Sequence, residues 1–167
     1  MPDTTSQIIL GLGNILNSDE GFGVEAMKFL QEAFSDNTNV EFIDGGVMGL
    51  DLLPLVESCS HLLILDAIDA GSPPGTIIEM SRDEIPLYNN VKMSEHQITF
   101  QEVLGFAKLR EKLPEHLHLI GVQPESTSLG VGLSETLNNR LPEVIKAGRK
   151  ILLEWGLLNS EVSNFIQ

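Results

Sequence analysis

Apolar residues follow two alternating rhythms along the 167-residue chain. Residues 7–12, Gln-Ile-Ile-Leu-Gly-Leu, form a short apolar run closed by glycine, the pattern of a buried parallel strand. Phe22, Ala26, Phe29, Leu30 and Ala33 then recur at helical spacing, which predicts an amphipathic helix that buries those side chains on one face. Residues 39–43 read as a second strand closed by Asp44-Gly45-Gly46, and residues 48–57 as a short helix limited by Pro54. The strongest strand signal is 61–67, where Leu62-Leu63-Ile64-Leu65 runs straight into Asp66. Residues 76–80 form a further strand after the turn Gly71-Ser72-Pro73-Pro74-Gly75, and 98–109 a helix. Residues 117–122 form another strand, and 134–155 a long C-terminal helix whose pattern is interrupted at Pro142.

This alternation predicts a three-layer α/β/α sandwich around a mostly parallel, twisted sheet of about five strands. Neither a repeat nor a linker interrupts it, so residues 1–167 are expected to form a single domain. In open sheets of this kind ligands gather at the carboxyl ends of the strands, which makes the residues just after each strand the ones to inspect.

Charge narrows the partners. With 24 acidic and 10 basic residues the formal net charge is −14, which leaves little material for a phosphate-neutralising surface; nucleic acid is not an expected partner. The apolar runs stop well short of the ~20 residues a membrane helix needs, so no membrane insertion is expected. The single cysteine, Cys59, has no intrachain partner, and Met1–Ser6 lacks the basic and apolar regions of a signal peptide; both point to a cytoplasmic protein.

Three strand-end segments carry candidate chemistry. In the first, Gly11-Leu12-Gly13-Asn14-Ile15-Leu16-Asn17-Ser18-Asp19-Glu20-Gly21-Phe22-Gly23, Leu16 stands where a dinucleotide fingerprint needs glycine, and the Gly-Lys-Ser/Thr of a phosphate loop is missing. Glu20 is either a capping residue three positions after an Asn17 N-cap or a site carboxylate. In the second, Asp66 ends a run of four large aliphatics, where an ionised carboxylate is costly unless a hydrogen bond, cation or metal compensates. Asp69 lies further into the loop and reads as solvated; Asp44 is either a substrate-facing carboxylate or a turn former. In the third, Met93-Ser94-Glu95-His96-Gln97-Ile98, Ser94 and Gln97 have capping-box spacing, placing His96 in the first turn of a helix. The positive helix end there favours neutral imidazole, suited to ligating a metal or taking a proton, although a lone histidine can equally be a capping or packing residue.

Glu20, Asp66 and His96 thus converge on one rim. Two carboxylates and an imidazole suit a divalent transition metal with positions left open, zinc, nickel, cobalt or manganese rather than magnesium or calcium. His116 and His118 alternate on a strand beside core leucines and make poor ligands. Cys59 packs rather than acts as a nucleophile, and Ser126 and Ser128 lack the Gly-x-Ser-x-Gly elbow of a serine hydrolase.

Taken together, Leu10-Gly11-Leu12-Gly13-Asn14-Ile15-Leu16 with Asp19-Glu20-Gly21-Phe22-Gly23, Asp44-Gly45-Gly46, Leu65-Asp66-Ala67 and Ser94-Glu95-His96-Gln97 resemble the hydrogenase maturation endopeptidases. Gly121-Val122-Gln123-Pro124-Glu125 and Gly132-Leu133-Ser134 extend the likeness, which runs from about residue 7 to about residue 155. The resemblance implies an endopeptidase that removes a C-terminal extension from the large-subunit precursor of a nickel-iron hydrogenase after nickel insertion. It implies that Glu20, Asp66 and His96 match metal-binding positions and meet the precursor's own nickel transiently, with no organic cofactor. It also implies a grouping with aspartic-type endopeptidases, although the paired Asp-Thr-Gly signatures of pepsin-like enzymes are missing. The resemblance departs where Met48 and Gly49 follow Gly45-Gly46-Val47, since many relatives carry a threonine or alanine near the second glycine, and it implies a part for this region in the choice of hydrogenase.

On this reading Asp66 and Asp44 are the catalytic candidates, Asp44 as an additional orienting carboxylate. Two alternatives use the same residues differently. A nonproteolytic nickel-dependent chaperone inspects the precursor without cutting it. A nucleotide-binding enzyme cradles phosphate on Gly11 and Gly13 and meets a ribose with Asp44.

Overall fold

The structure is a computed structural model that describes residues 5–87, 92–93 and 95–159, with only the backbone described at 92–93 and 95–99. Strand β1 (Ser6–Leu12) leads through a short 3₁₀ turn (Ser18–Gly21) into helix α1 (Phe22–Phe34), and β2 (Glu41–Gly46) follows. Helix α2 (Leu53–Ser58) carries Pro54 in its first turn, where a missing N–H costs nothing, and feeds β3 (Cys59–Asp69). Next come β4 (Ile77–Ser81), the two-residue β5 (Lys92–Met93), α3 (Glu95–Leu109) and β6 (His116–Val122). Helices α4 (Glu135–Asn138) and α5 (Leu141–Glu154) complete the order.

The strands lie in the order β2-β1-β3-β6-β4. The first four are parallel and β4 pairs antiparallel with β6 at the edge. Successive residues of β3 enter opposite layers: Leu63, Leu65 and Ala67 pack with α1 and α5, whereas Leu62, Ile64 and Ile68 pack with α2 and α3. The sandwich is therefore α/β/α around a mostly parallel sheet, as the periodicity predicts. Truncating any of these buried leucines to alanine costs about 2–5 kcal/mol.

Two local expectations change. The buried face of α1 is Phe22, Ala26, Met27, Leu30 and Phe34; Phe29 is 42 % exposed and Ala33 is exposed as well. The expected single C-terminal helix is two, because proline is tolerated only in a first turn: Ser134 caps α4, and α5 restarts with Pro142 in its opening turn.

Candidate active site

The turn after β1 is folded by close backbone packing. Gly13 has φ +122°, and a Cβ there would lie 1.8 Å from the Glu20 carbonyl oxygen. A Cβ on Gly23 would lie 2.1 Å from the Leu65 carbonyl oxygen and 2.4 Å from that of Leu12. The glycines thus let the start of α1 sit directly on the ends of β1 and β3. Gly11 is covered in the same way by Gly23, Val24 and Met27, which brings α1 directly onto β1.

This packing delivers Glu20, 5 % exposed, to the rim where β3 ends. Its carboxylate accepts a hydrogen bond from the Asn17 side-chain amide at 3.1 Å. Asn17 precedes a 3₁₀ turn rather than the α-helix itself, which begins at Phe22. Asp66, one residue beyond Leu65, is fully buried, and neither carboxylate oxygen has a hydrogen-bond partner among the described residues. Burial pushes its carboxyl well above the ordinary range, and the Glu20 charge pushes it further. The Ala67 amide opposes this only in part and does not reach hydrogen-bond geometry.

Asp66 shares its strand face with Ile64 and Ile68, toward the layer that contains α3. Met93 pairs with Ile68, so the chain passes the end of β3 three residues before His96, which lies in the first turn of α3. The His96 side chain lies outside the described residues, as does Ser94. Among the described residues no group of three metal-ligand side chains converges, and Glu20 and Asp66 are the two members of the expected set that the structure brings together.

Asp44 stands apart. It pairs with Gly11 of β1, which in turn pairs with Leu65, so two strand spacings, ~10 Å, separate it from β3. It is exposed, and its Oδ1 accepts the Gly46 N–H at 2.9 Å, the turn-forming arrangement. Asp69 is exposed too and accepts bonds from the Gly71 N–H and the Gln123 side chain.

Asp19 is a site-building residue that reading along the chain misses. It is fully buried, and its carboxylate accepts the N–H groups of Glu125, Ser126 and Ser134 and the Ser134 hydroxyl. These bonds tie the 124–134 loop to the turn that carries Glu20. Its donors lie more than a hundred residues away, so the adjacent Asp19-Glu20 pair is the only local sign of it.

The remaining candidates have structural roles. Cys59 is buried, its thiol is pushed up to about 12 by burial, and its Sγ is 3.3 Å from the Val56 carbonyl oxygen. His116 stacks on His61 with ring centroids 4.1 Å apart, and His118 pairs with Glu79 at 3.1 Å. Ser126 and Ser128 bond to each other in their loop.

Comparison with known proteins agrees with this architecture. A model of the hydrogenase maturation protease family matches residues 24–151. The hydrogenase expression/formation protein HupD of Thiocapsa roseopersicina is 40 % identical over 153 residues, 90 % of this chain and 69 % of that protein. The hydrogenase 2 maturation protease of Escherichia coli K12 is 33 % identical over 151 residues, 90 % of this chain and 92 % of that one. The solved hydrogenase maturating endopeptidase HybD from E. coli superposes with a TM-score of 0.81 at 31 % identity, covering 93 % of this chain and 99 % of that one. The chain belongs to the hydrogenase maturation proteases and is a peptide hydrolase.

Proposed function

We propose that this protease removes the C-terminal extension of a nickel-iron hydrogenase large-subunit precursor after nickel insertion, with Glu20, Asp66 and His96 engaging the precursor's own nickel. The observation that carries the metal reading is Asp66: a fully buried carboxyl whose oxygens have no partner among the described residues, beside a second carboxylate. An apolar strand end favours the neutral acid, and an arriving cation favours the carboxylate. Glu20, Asp66 and His96 would hold the nickel, which would supply Lewis-acid chemistry beside the scissile peptide.

The chain's own residues supply positioning. Glu20 is held by Asn17, and the turn beneath it by Gly13 and Asp19. Asp44 presents an exposed carboxylate two strands away, suited to orienting the extended peptide of the precursor. On this reading the grouping with aspartic-type endopeptidases rests on two carboxylates, Asp66 engaging the nickel and Asp44 orienting the peptide. No organic cofactor is needed for this chemistry, and a cytoplasmic setting fits a substrate processed as it is assembled. Among the described residues no helix is long and apolar enough to cross a membrane.

The test is to incubate the protein with large-subunit precursor, with and without nickel, and to measure C-terminal masses. Nickel-dependent loss of a short peptide supports the reading. An unchanged mass overturns it, and nickel-dependent binding without cleavage would favour the chaperone alternative.

A further inference from the structure

Beside the carboxylate rim the chain exposes large apolar side chains on a segment that is firmly fixed. Leu129 is 87 % exposed and Val131 85 %, flanking Gly130; Leu16 is 54 % exposed. The Gly130 N–H donates to the Leu16 carbonyl at 2.8 Å, and the Ser18 N–H donates to the Gly130 carbonyl at 2.9 Å, so 16–18 and 129–131 run side by side. The Ser18 hydroxyl donates to the Ser128 carbonyl at 2.8 Å, and Asp19 holds both flanks of the loop through Ser126 and Ser134.

An exposed loop tip is ordinarily polar and mobile. This one is apolar and fastened at both sides to the turn that ends in Glu20. Holding apolar side chains rigid in water gains the isolated chain nothing, whereas a preformed surface lowers the ordering cost of association. Ser18, which is bonded to this segment, lies two residues before Glu20, so a protein that brings a metal to Glu20 meets the segment as it docks.

We infer that Leu16, Leu129 and Val131 form an apolar crest on which the large-subunit precursor docks, with an apolar patch of the precursor bordering its metal-bearing segment as the occupant. This rests on the maturation reading above. The crest acts in binding, so its loss is felt in KM.

The experiment measures cleavage of nickel-loaded precursor against precursor concentration for the wild-type chain and for the double variant Leu129→Ser/Val131→Ser. Thermal unfolding of both comes first. The expected result is an unchanged Tm, a KM raised about tenfold or more, and kcat within a factor of about two at saturation. Leu129→Met, which keeps an apolar side chain, should keep the wild-type KM. Equal KM for the double variant and the wild type overturns the crest while leaving the maturation reading standing. Failure of the wild-type chain to cleave the precursor overturns the maturation reading, and the crest with it. A lowered kcat at unchanged KM also overturns the crest, since the residues would then be serving the reacting centre.

Discussion

Asp19 and Ser134 are joined twice: the Ser134 N–H donates to one carboxylate oxygen at 2.7 Å and its hydroxyl donates to the other at 2.8 Å. The same hydroxyl oxygen accepts the Leu137 N–H as the N-cap of α4. One buried carboxylate therefore closes a link from the 3₁₀ turn after β1 to the start of a helix on the far side of the sequence. Because Glu20 follows Asp19 directly, the link also fixes the backbone of the candidate metal site.

Asp19→Asn tests that link. An amide presents an NH₂ to a set of donors that all require acceptors, so at least one oxygen's worth of bonds is lost inside the protein. The expected cost is about 3 kcal/mol, roughly 6–12 °C in Tm for a chain of this size, read by thermal or urea unfolding. Ser134→Ala, which keeps the backbone bond, should cost about 1 kcal/mol. Equal unfolding midpoints for Asp19→Asn and wild type would show that the carboxylate does not hold the loop.

Asp66→Asn is expected to abolish cleavage while leaving the fold at least as stable. The folded carboxyl ionises at higher pH than an unfolded one, whose value is about 3.9, so the native state binds more protons above that pH. Without metal, the wild type's Asp66 contribution is full below the unfolded value and is lost as pH rises through the folded one. The variant lacks this slope. At alkaline pH its Tm should exceed the wild type's, and urea denaturation across a pH series should show the two curves meeting toward acid.

Gly13 and Gly132 both have positive φ but differ in surroundings. A Cβ at Gly13 would collide with the Glu20 carbonyl, whereas nothing lies within 4 Å of one at Gly132. Gly13→Ala should therefore cost about 3 kcal/mol or more through strain and forced movement of the turn, and should abolish cleavage. Gly132→Ala should cost only about 1 kcal/mol from the backbone conformation. Unfolding midpoints and precursor cleavage measured on the pair separate close packing from backbone preference.

His61 provides a pH probe away from the site. Burial and then the stacked His116 hold its imidazole below the ordinary value of about 6.5, with Glu115 pulling the other way. The unfolded chain thus takes up its proton first as pH falls. The stability His61 contributes is present above about 6.5 and is lost below it, until the folded imidazole protonates as well. In NMR titration His61 should have a midpoint below 6.5, and His116→Gln should move it upward. An unmoved midpoint would remove His116 as a cause.

Much of the architecture was legible along the chain because its causes are local. Alternation of side chains across a pleat is written in consecutive residues, so Leu62-Leu63-Ile64-Leu65 declares a strand buried on both faces wherever it is read. Asp66 was legible for the same reason: a carboxyl directly after that run is expensive in any fold that buries the run. Phe29 lies off the buried stripe because α1 meets the sheet through Phe22, Ala26, Met27, Leu30 and Phe34, and periodicity alone does not select between neighbouring stripes.

The site needed long-range closure. Glu20 reaches Asp66 because backbone atoms of β1, β3 and α1 come together at Gly13 and Gly23, and Asp19 finds its donors in a loop a hundred residues later. The distinction between two adjacent acids, Asp19 fastening the turn and Glu20 lying near Asp66, depends on which polar atoms the folded chain carries to each. Local sterics and patterning specify the elements; which groups become partners depends on hydrogen bonds and charges between distant segments, and these exist only once the chain has closed.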